Sequence, residues 1–240
     1  MEMIDMHCHI LPGIDDGPVS IRTSFNMAKK AYECGYTAIF ATPHYIDKEI
    51  ETSRVQIENL ASELNDLLKQ SKLGIKIYTG NEVYLSAEVL ECIYNKNLCT
   101  LGNSRYVLIE LPMQGKIIQL NSIISEIISK GFIPIIAHPE RYDFVTKNYK
   151  ELLPLIDMGA ILQINIGSIV GLYGTSPKKN VISLLKNNLV HLVGTDAHDS
   201  KRVYDIYRSA IKKIERILTD KKIEEIFFKN PQAVKADRKI

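Results

Sequence analysis

Thr37-Ala38-Ile39-Phe40-Ala41-Thr42-Pro43-His44 is a short, mostly apolar run that ends in a hydroxyl, a proline and an imidazole. The run does not alternate with polar residues, as expected of a strand covered on both faces, and such strands belong to parallel sheets with helices packed against them. The flanking sequence agrees. On its N-terminal side Ile21, Phe25, Ala28 and Tyr32 recur at helical spacing and Gly35 stands at the C-cap position; on its C-terminal side Ile57, Leu60, Leu64 and Leu67 mark a longer helix.

The same strand-then-helix unit recurs outward in both directions. Residues 3–6 run into His7-Cys8-His9, 75–78 into Gly80-Asn81-Glu82, and 106–109 into Glu110. Residues 133–137 run into His138, 161–164 into Asn165, and 190–193 into Gly194-Thr195-Asp196-Ala197-His198. Helical faces fall between and after them, at Ile123, Ile124, Ile127 and Ile128, at Leu152, Leu153 and Ile156, over 203–214, and at Ile223, Ile226 and Phe227, which suggest one more short helix. Seven strand ends near residues 7, 44, 82, 110, 138, 165 and 196 are separated by 37, 38, 28, 28, 27 and 31 positions, one βα unit each time. The expected fold is α/β with a parallel sheet. A closed barrel is favoured over an open sheet because every strand end contributes polar groups, and both architectures gather function at the carboxyl ends of their strands.

Composition sets the outer limits. The 240 residues fit one barrel-sized domain, 1–240, and 45% hydrophobic with 24% charged residues can bury a sizeable core. A formal charge of +2 with both signs interspersed gives no argument for nucleic acid. No apolar run approaches spanning length, so no direct membrane insertion is expected. The cysteines Cys8, Cys34, Cys92 and Cys99 form no Cys-x-x-Cys pair, and the expectation is reduced thiols in the cytoplasm. Oligomeric state is left open, a monomer being compatible.

Five of the six histidines, His7, His9, His44, His138 and His198, follow strand ends, together with Glu82, Glu110 and Asp196. His7 and His9, at i and i+2, project to one side of an extended segment, and Cys8 between them points to the other, as a core thiol. His191 stands at the opposite, N-terminal end of its strand and is expected at the opposite face. Nitrogen and oxygen ligands without thiolate suit Mn, Fe or Zn, and the set is too large for one ion, so two or three are expected. The Gly- and Asp-rich stretch Gly13-Ile14-Asp15-Asp16-Gly17 can fold a further carboxylate back, but spacing does not choose between Asp15 and Asp16. With Asp16, four carboxylates face up to six positive charges from three divalent ions, a surplus of about +2 that selects an anion. Divalent ions lower the pKa of bound water toward ~7, and Arg141 and Arg202, each a few residues beyond a candidate ligand, can grip phosphate oxygens. The reading is a multinuclear phosphoester hydrolase.

The runs His7-Cys8-His9-Ile10-Leu11-Pro12-Gly13-Ile14-Asp15-Asp16-Gly17-Pro18, Thr42-Pro43-His44-Tyr45, Gly80-Asn81-Glu82, His138-Pro139-Glu140-Arg141-Tyr142 and Asp196-Ala197-His198 resemble, in order and over nearly the whole chain, the polymerase-and-histidinol-phosphatase (PHP) superfamily. More narrowly they resemble its bacterial metal-dependent protein-tyrosine phosphatases of capsular and exopolysaccharide loci. The resemblance implies a distorted (β/α)7 barrel holding three metals, usually manganese, with Co among the possible ions. It implies one ion on His7, His9, Glu82 and Asp196, a second on Glu82, Glu110 and His138, and a third on Asp16, His44 and His198, with Glu82 bridging. It selects Asp16 over Asp15 and assigns Arg141 and Arg202 to phosphate binding. The implied substrate is the phosphorylated tyrosine-rich tail of a bacterial autokinase that governs polysaccharide synthesis.

Three competing readings differ in testable ways. Histidinol phosphate or another small phosphomonoester would use the same metal layout. Cys99-Thr-Leu-Gly-Asn-Ser-Arg105 meets the Cys-x5-Arg spacing of thiol-based tyrosine phosphatases, but Arg105 runs into an apolar strand instead of a helix N-terminus. A non-catalytic phosphotyrosine or kinase adaptor is the third. Tyr45, Tyr142 and Tyr173 are candidates to pack against a substrate ring.

Overall fold

The computed structural model describes residues 3–86, 89–95, 98–115 and 117–240. Among the described residues nine strands follow one another: β1 Met3–Cys8, β2 Tyr36–Ala41, β3 His44–Tyr45, β4 Lys76–Thr79, β5 Glu82–Tyr84, β6 Tyr106–Glu110, β7 Ile133–Ala137, β8 Ile161–Asn165 and β9 Leu192–Gly194. All pair in parallel, in the orders β1-β2-β4 and β3-β5-β6-β7-β8-β9. The sheet curls until its ends meet: a parallel bridge joins Cys8 to Ala197, with Asp196 N donating to His7 O at 2.7 Å and His9 N to Ala197 O at 3.0 Å.

Thr42-Pro43 separates β2 from β3, and Gly80-Asn81 separates β4 from β5. Proline removes a ladder donor, and Gly80 leaves no room for a side chain, since a Cβ there would lie 2.5 Å from Leu101 Cδ2. Both strands bend at these points. Beyond the bends His44 pairs in register with Glu82.

Burial explains the unbroken apolar runs. Residues from alternate positions, Ile4 and Met6 on β1, Ala38 and Phe40 on β2, Tyr106 and Leu108 on β6, Ile135 and Ala137 on β7, form one apolar cluster inside the curl. The intervening Ile39, Val107, Ile109, Ile136, Leu162 and Ile164 join a larger cluster with helix residues such as Met27, Ile57, Leu64 and Ile124. Both faces of each strand are therefore buried, and the inner parity extended toward the carboxyl ends leads to Glu82, Glu110, Asn165 and Asp196. On β1 the register with β2 shifts between Asp5 and Cys8, so His7 and His9 take the inner side after Met6 while Cys8 turns outward.

The helices start where their sequence caps them. Ser20 and Thr23 exchange capping hydrogen bonds at the start of helix Ile21–Glu33, and Ser53 accepts from Gln56 N at the start of helix Arg54–Gln70. The C-terminal segment, read as one short helix, is instead Asp220–Glu224 followed by a wider π turn at Glu225–Lys229 and a last helix Asn230–Lys235.

Candidate metal centre

The nine residues read as ligands converge on one bowl at the carboxyl ends of the strands, with Glu82 at its middle. Glu82 Oε2 lies 3.2 Å from His7 Nε2, 3.2 Å from His9 Nε2 and 3.1 Å from His44 Nδ1, and its Oε1 lies 2.9 Å from His138 Nε2. Glu110 stands beyond, 3.9 Å from His44 Nδ1 and 3.7 Å from His138 Nε2. Asp16 Oδ1 is 3.2 Å from His198 Nε2 and 3.8 Å from His44 Nε2. Asp196 Oδ1 lies 3.6 Å from His7 Nε2 and 3.5 Å from His9 Nε2. Among the described residues three tight donor sets emerge, His7-His9-Glu82, His44-Glu82-Glu110 and His9-Asp16-His44-His198, each with its atoms within 4.8 Å of one another.

Hydrogen positions around His7 and His9 test whether a cation fits. His9 Nδ1 lies 2.8 Å from Asp15 Oδ2, and His7 Nδ1 lies 2.9 Å from Gln163 Oε1. Gln163 Nε2 is already committed to Ile164 O and Asn165 Oδ1, which fixes its oxygen toward His7. A carboxylate and an amide oxygen only accept, so each Nδ1 carries hydrogen and Nε2 is the nitrogen left to meet a positive charge, a proton or a metal ion. Those two Nε2 atoms face each other at 3.1 Å with the Glu82 carboxylate beside both. So close a set of donors calls for positive charge at its centre, and one divalent ion would meet both nitrogens and the carboxylate at once, where a ring proton meets only a single pair. The donor set fits a divalent ion.

The electrostatics agree. Burial, and then the neighbouring Glu82 carboxylate, push Glu110 up to about 8, so positive charge is needed for it to ionise at neutral pH. Burial holds His138 and His44 below the ordinary imidazole value, in the neutral form that coordinates. Burial works against charge on His7 as well, but Glu82 and Asp196 outweigh it and raise the ring to about 9, which marks the depth of the negative potential. His138 and Asp196 have φ of +32° and +52°. Left-handed backbone at non-glycine residues is strained, and here it turns two candidate ligands inward at the ends of β7 and β9.

Arg141 and Arg202 both line the mouth, a cavity of about 600 Å³ whose wall also includes Leu172, Tyr173 and Val203. Arg141 Nη1 donates to Asp196 Oδ2 at 3.0 Å, and Arg202 stands exposed at the first residue of helix Arg202–Ile214. Tyr173 is the one ring of the three candidates that reaches the mouth. Tyr142 is fully buried, donating to Ala137 O and accepting from Leu111 N, and Tyr45 is buried against Cys92, because both are needed to pack the loops beneath. His191 lies outside the bowl, its Nδ1 accepting from Leu162 N, and Cys8 is a buried core thiol. The Cys-x5-Arg coincidence forms no anion loop: Cys99 is buried with its thiol raised to about 11 by burial, while Arg105 pairs with Asp237 at 3.1 Å.

Residues that spacing did not assign hold the candidate ligands in place. Asp15 orients His9 and also accepts from the N–H groups of His44 and Gly17. Gln163 orients His7, and Asn165 Nδ2 donates to Asp196 Oδ2 at 2.6 Å. The sequence signal for this pair is a polar residue at two successive inner positions, 163 and 165, of the otherwise apolar strand Ile161-Leu162-Gln163-Ile164-Asn165.

A model of the capsular polysaccharide synthesis family CpsB/CapC matches residues 3–235. The chain belongs to that family. It is 34% identical to the tyrosine-protein phosphatase CpsB of Streptococcus pneumoniae, over 99% of this chain and 100% of that protein. To the tyrosine-protein phosphatase YwqE of Bacillus subtilis it is also 34% identical, over 83% of this chain and 78% of that protein. Among solved structures, it matches one from a study of YwqE from Bacillus subtilis and CpsB from Streptococcus pneumoniae, described as metal-dependent tyrosine phosphatases. The TM-score is 0.92 and the identity 30%, covering 99% of this chain and 96% of that one. The relationship expected from the histidine runs is thus established, and with it the α/β fold with a curled parallel sheet. Among the described residues no helix is long and apolar enough to cross a membrane.

Proposed function

We propose that this chain is a metal-dependent protein-tyrosine phosphatase whose substrate is the phosphorylated tyrosine-rich tail of a bacterial autokinase in capsular or extracellular polysaccharide synthesis. The observation that carries the reading is the convergence of His7 Nε2 and His9 Nε2, 3.1 Å apart, on the Glu82 carboxylate. Relatives named as tyrosine phosphatases at 34% identity over most of the chain support the substrate class. His7, His9, Glu82 and Asp196 would hold one ion, Glu82, Glu110 and His138 a second, and Asp16, His44 and His198 a third, with manganese the expected metal. Bound there, divalent ions would neutralise phosphoryl charge and furnish a nucleophile from water at neutral pH.

The protein's own groups do the rest. Arg141 and Arg202 grip the non-bridging oxygens, which are anionic in the ground state and remain so through an in-line displacement. Leu172, at the same mouth, offers apolar contact to the aryl ring. Tyrosinate, with an unperturbed pKa near ~10, leaves without a dedicated acid, consistent with a bowl in which every buried carboxylate faces an imidazole or arginine. We read the curled sheet as a distorted (β/α)7 barrel in one domain, with β2-β3 and β4-β5 as two broken staves, and place the protein in the cytoplasm, where its four free thiols stay reduced.

The test is phosphate release from a phosphotyrosyl tail peptide after chelation and separate re-addition of Mn, Co, Mg and Zn, with histidinol phosphate in parallel. Activity that disappears with chelator, returns with Mn and prefers the peptide supports the reading. A strong preference for histidinol phosphate, or metal-replete protein inert toward the peptide and toward aryl phosphates, overturns it.

A further inference from the structure

Arg141 is held on two sides at the mouth. One side is the hydrogen bond from Nη1 to Asp196 Oδ2 at 3.0 Å. The other is Tyr173, whose ring centroid lies 4.6 Å from the guanidinium carbon. A single bond to one carboxylate oxygen leaves a guanidinium free to swing about that bond; a ring against its face fixes the plane.

The loop that carries Tyr173 is built to keep the ring there. Leu172 N donates to Gly167 O and Gly174 N to Gly171 O, each at 3.0 Å. A Cβ on Gly167 would lie 2.8 Å from Leu172 Cδ2 and 3.2 Å from Tyr173 Cε2, so the absence of a side chain there makes room for both. The loop is tied in turn to the segment bearing Arg141, because Glu140 Oε1 accepts from Asn165 N at 2.9 Å and from Ser168 Oγ at 2.7 Å. Adjacent residues thus divide the work: Glu140 points inward and anchors the 165–174 loop, and Arg141 points to the mouth and meets the ring that loop presents.

We infer that Tyr173 is a positioning residue, whose ring, and not its hydroxyl, sets the plane of the Arg141 guanidinium for bidentate capture of the substrate's phosphoryl group. This rests on the phosphatase reading above. Cation–ring contacts of this kind change affinity by about 2- to 30-fold.

The experiment compares metal-loaded wild type, Tyr173→Phe and Tyr173→Leu by calorimetric titration with inorganic phosphate and by kcat and KM on a phosphotyrosyl peptide. Tyr173→Phe is expected to match wild type, while Tyr173→Leu weakens phosphate binding and raises KM by about 2- to 30-fold with unchanged thermal midpoint. In an Arg141→Lys background Tyr173→Leu is expected to add nothing, since an ammonium has no plane to align. A defect in Tyr173→Phe equal to that of Tyr173→Leu overturns the role of the ring, as does a full additional loss in the Arg141→Lys background. Should Tyr173→Leu not fold, Gly167→Ala, which displaces the ring without removing it, is expected to show the same loss, and wild-type phosphate affinity in it overturns the proposal. Wild type that binds phosphate but does not hydrolyse the peptide defeats the phosphatase reading alone; wild type that does neither defeats both.

Discussion

Asp15 Oδ2 meets His9 Nδ1 at 2.8 Å, while the neighbouring Asp16 turns to His198 Nε2 at 3.2 Å. Two consecutive carboxylates therefore serve different imidazoles, one behind the bowl and one at its rim. Asp15 fixes which nitrogen of His9 carries hydrogen, and groups in that position typically change metal affinity 10- to 100-fold when removed. Asp15→Ala is expected to lose affinity by about that factor, and Asp15→Asn, which keeps an acceptor, by less. Competition with a chromogenic chelator measures both, and an alanine variant that binds metal as wild type does would remove Asp15 from the centre.

Cys99 and Arg105 satisfy a phosphatase spacing yet serve the core and the Asp237 pair respectively. Cys99→Ser is expected to leave turnover of a phosphotyrosyl peptide unchanged, and thiol alkylation likewise, while a chelator brings it to background. Loss of activity in the serine variant with indifference to chelator would invert the assignment.

Gly194 lies against the back of His7. A Cβ there would stand 2.5 Å from His7 Cβ and 2.7 Å from Gln163 Nε2, closer than non-bonded atoms tolerate. Gly194→Ala should therefore push β9 off β1, costing about 1–3 kcal/mol of stability in urea unfolding and lowering metal content in the purified protein. A variant with normal stability and full metal occupancy would show that the two strands have slack.

Glu140 is fully buried with Oε2 unpartnered, and burial raises its carboxyl from 4.5 to about 7 in spite of the bonds from Ser168 and Asn165. A group favoured in its neutral form contributes stability that is complete below its unfolded pKa and is lost as pH climbs through the folded value. Glu140→Gln keeps an acceptor for Oε1 and cannot ionise. In chelator-treated protein the variant is expected to gain on wild type in urea midpoint between about pH 5 and about pH 8. An equal offset at both pH values would mean that Glu140 carries no such penalty.

Much of the site was legible because inner parity is simple. On β6 the apolar Tyr106 and Leu108 lead at the same spacing to Glu110, and on β8 the inner positions are Ile161, Gln163 and Asn165. A histidine or acid at the end of a buried apolar run has nowhere to point but the bowl. What alternation could not reach was backbone irregularity: the register shift between Asp5 and Cys8 and the positive φ at His138 arise from pairing with distant strands. The partners of the ligands were hidden for a related reason. Asp15 and Asp16 are equivalent by spacing, and only the turn that brings Gly17 N to Asp15 Oδ1 separates them. The fates of Tyr45 and Tyr142 depended on loop packing, which has no period to read.

The seam at Cys8 and Ala197 joins the first strand to the last. A bowl that draws on residues 7 and 9 at one end and 196 and 198 at the other is whole only when most of the polypeptide is present, so a ribosome must release residues through β9 before all its donors can meet. The proposed three-ion centre would thus be complete only once β9 has joined β1, and fragments truncated before β9 are expected to lack its Asp196 and His198 donors.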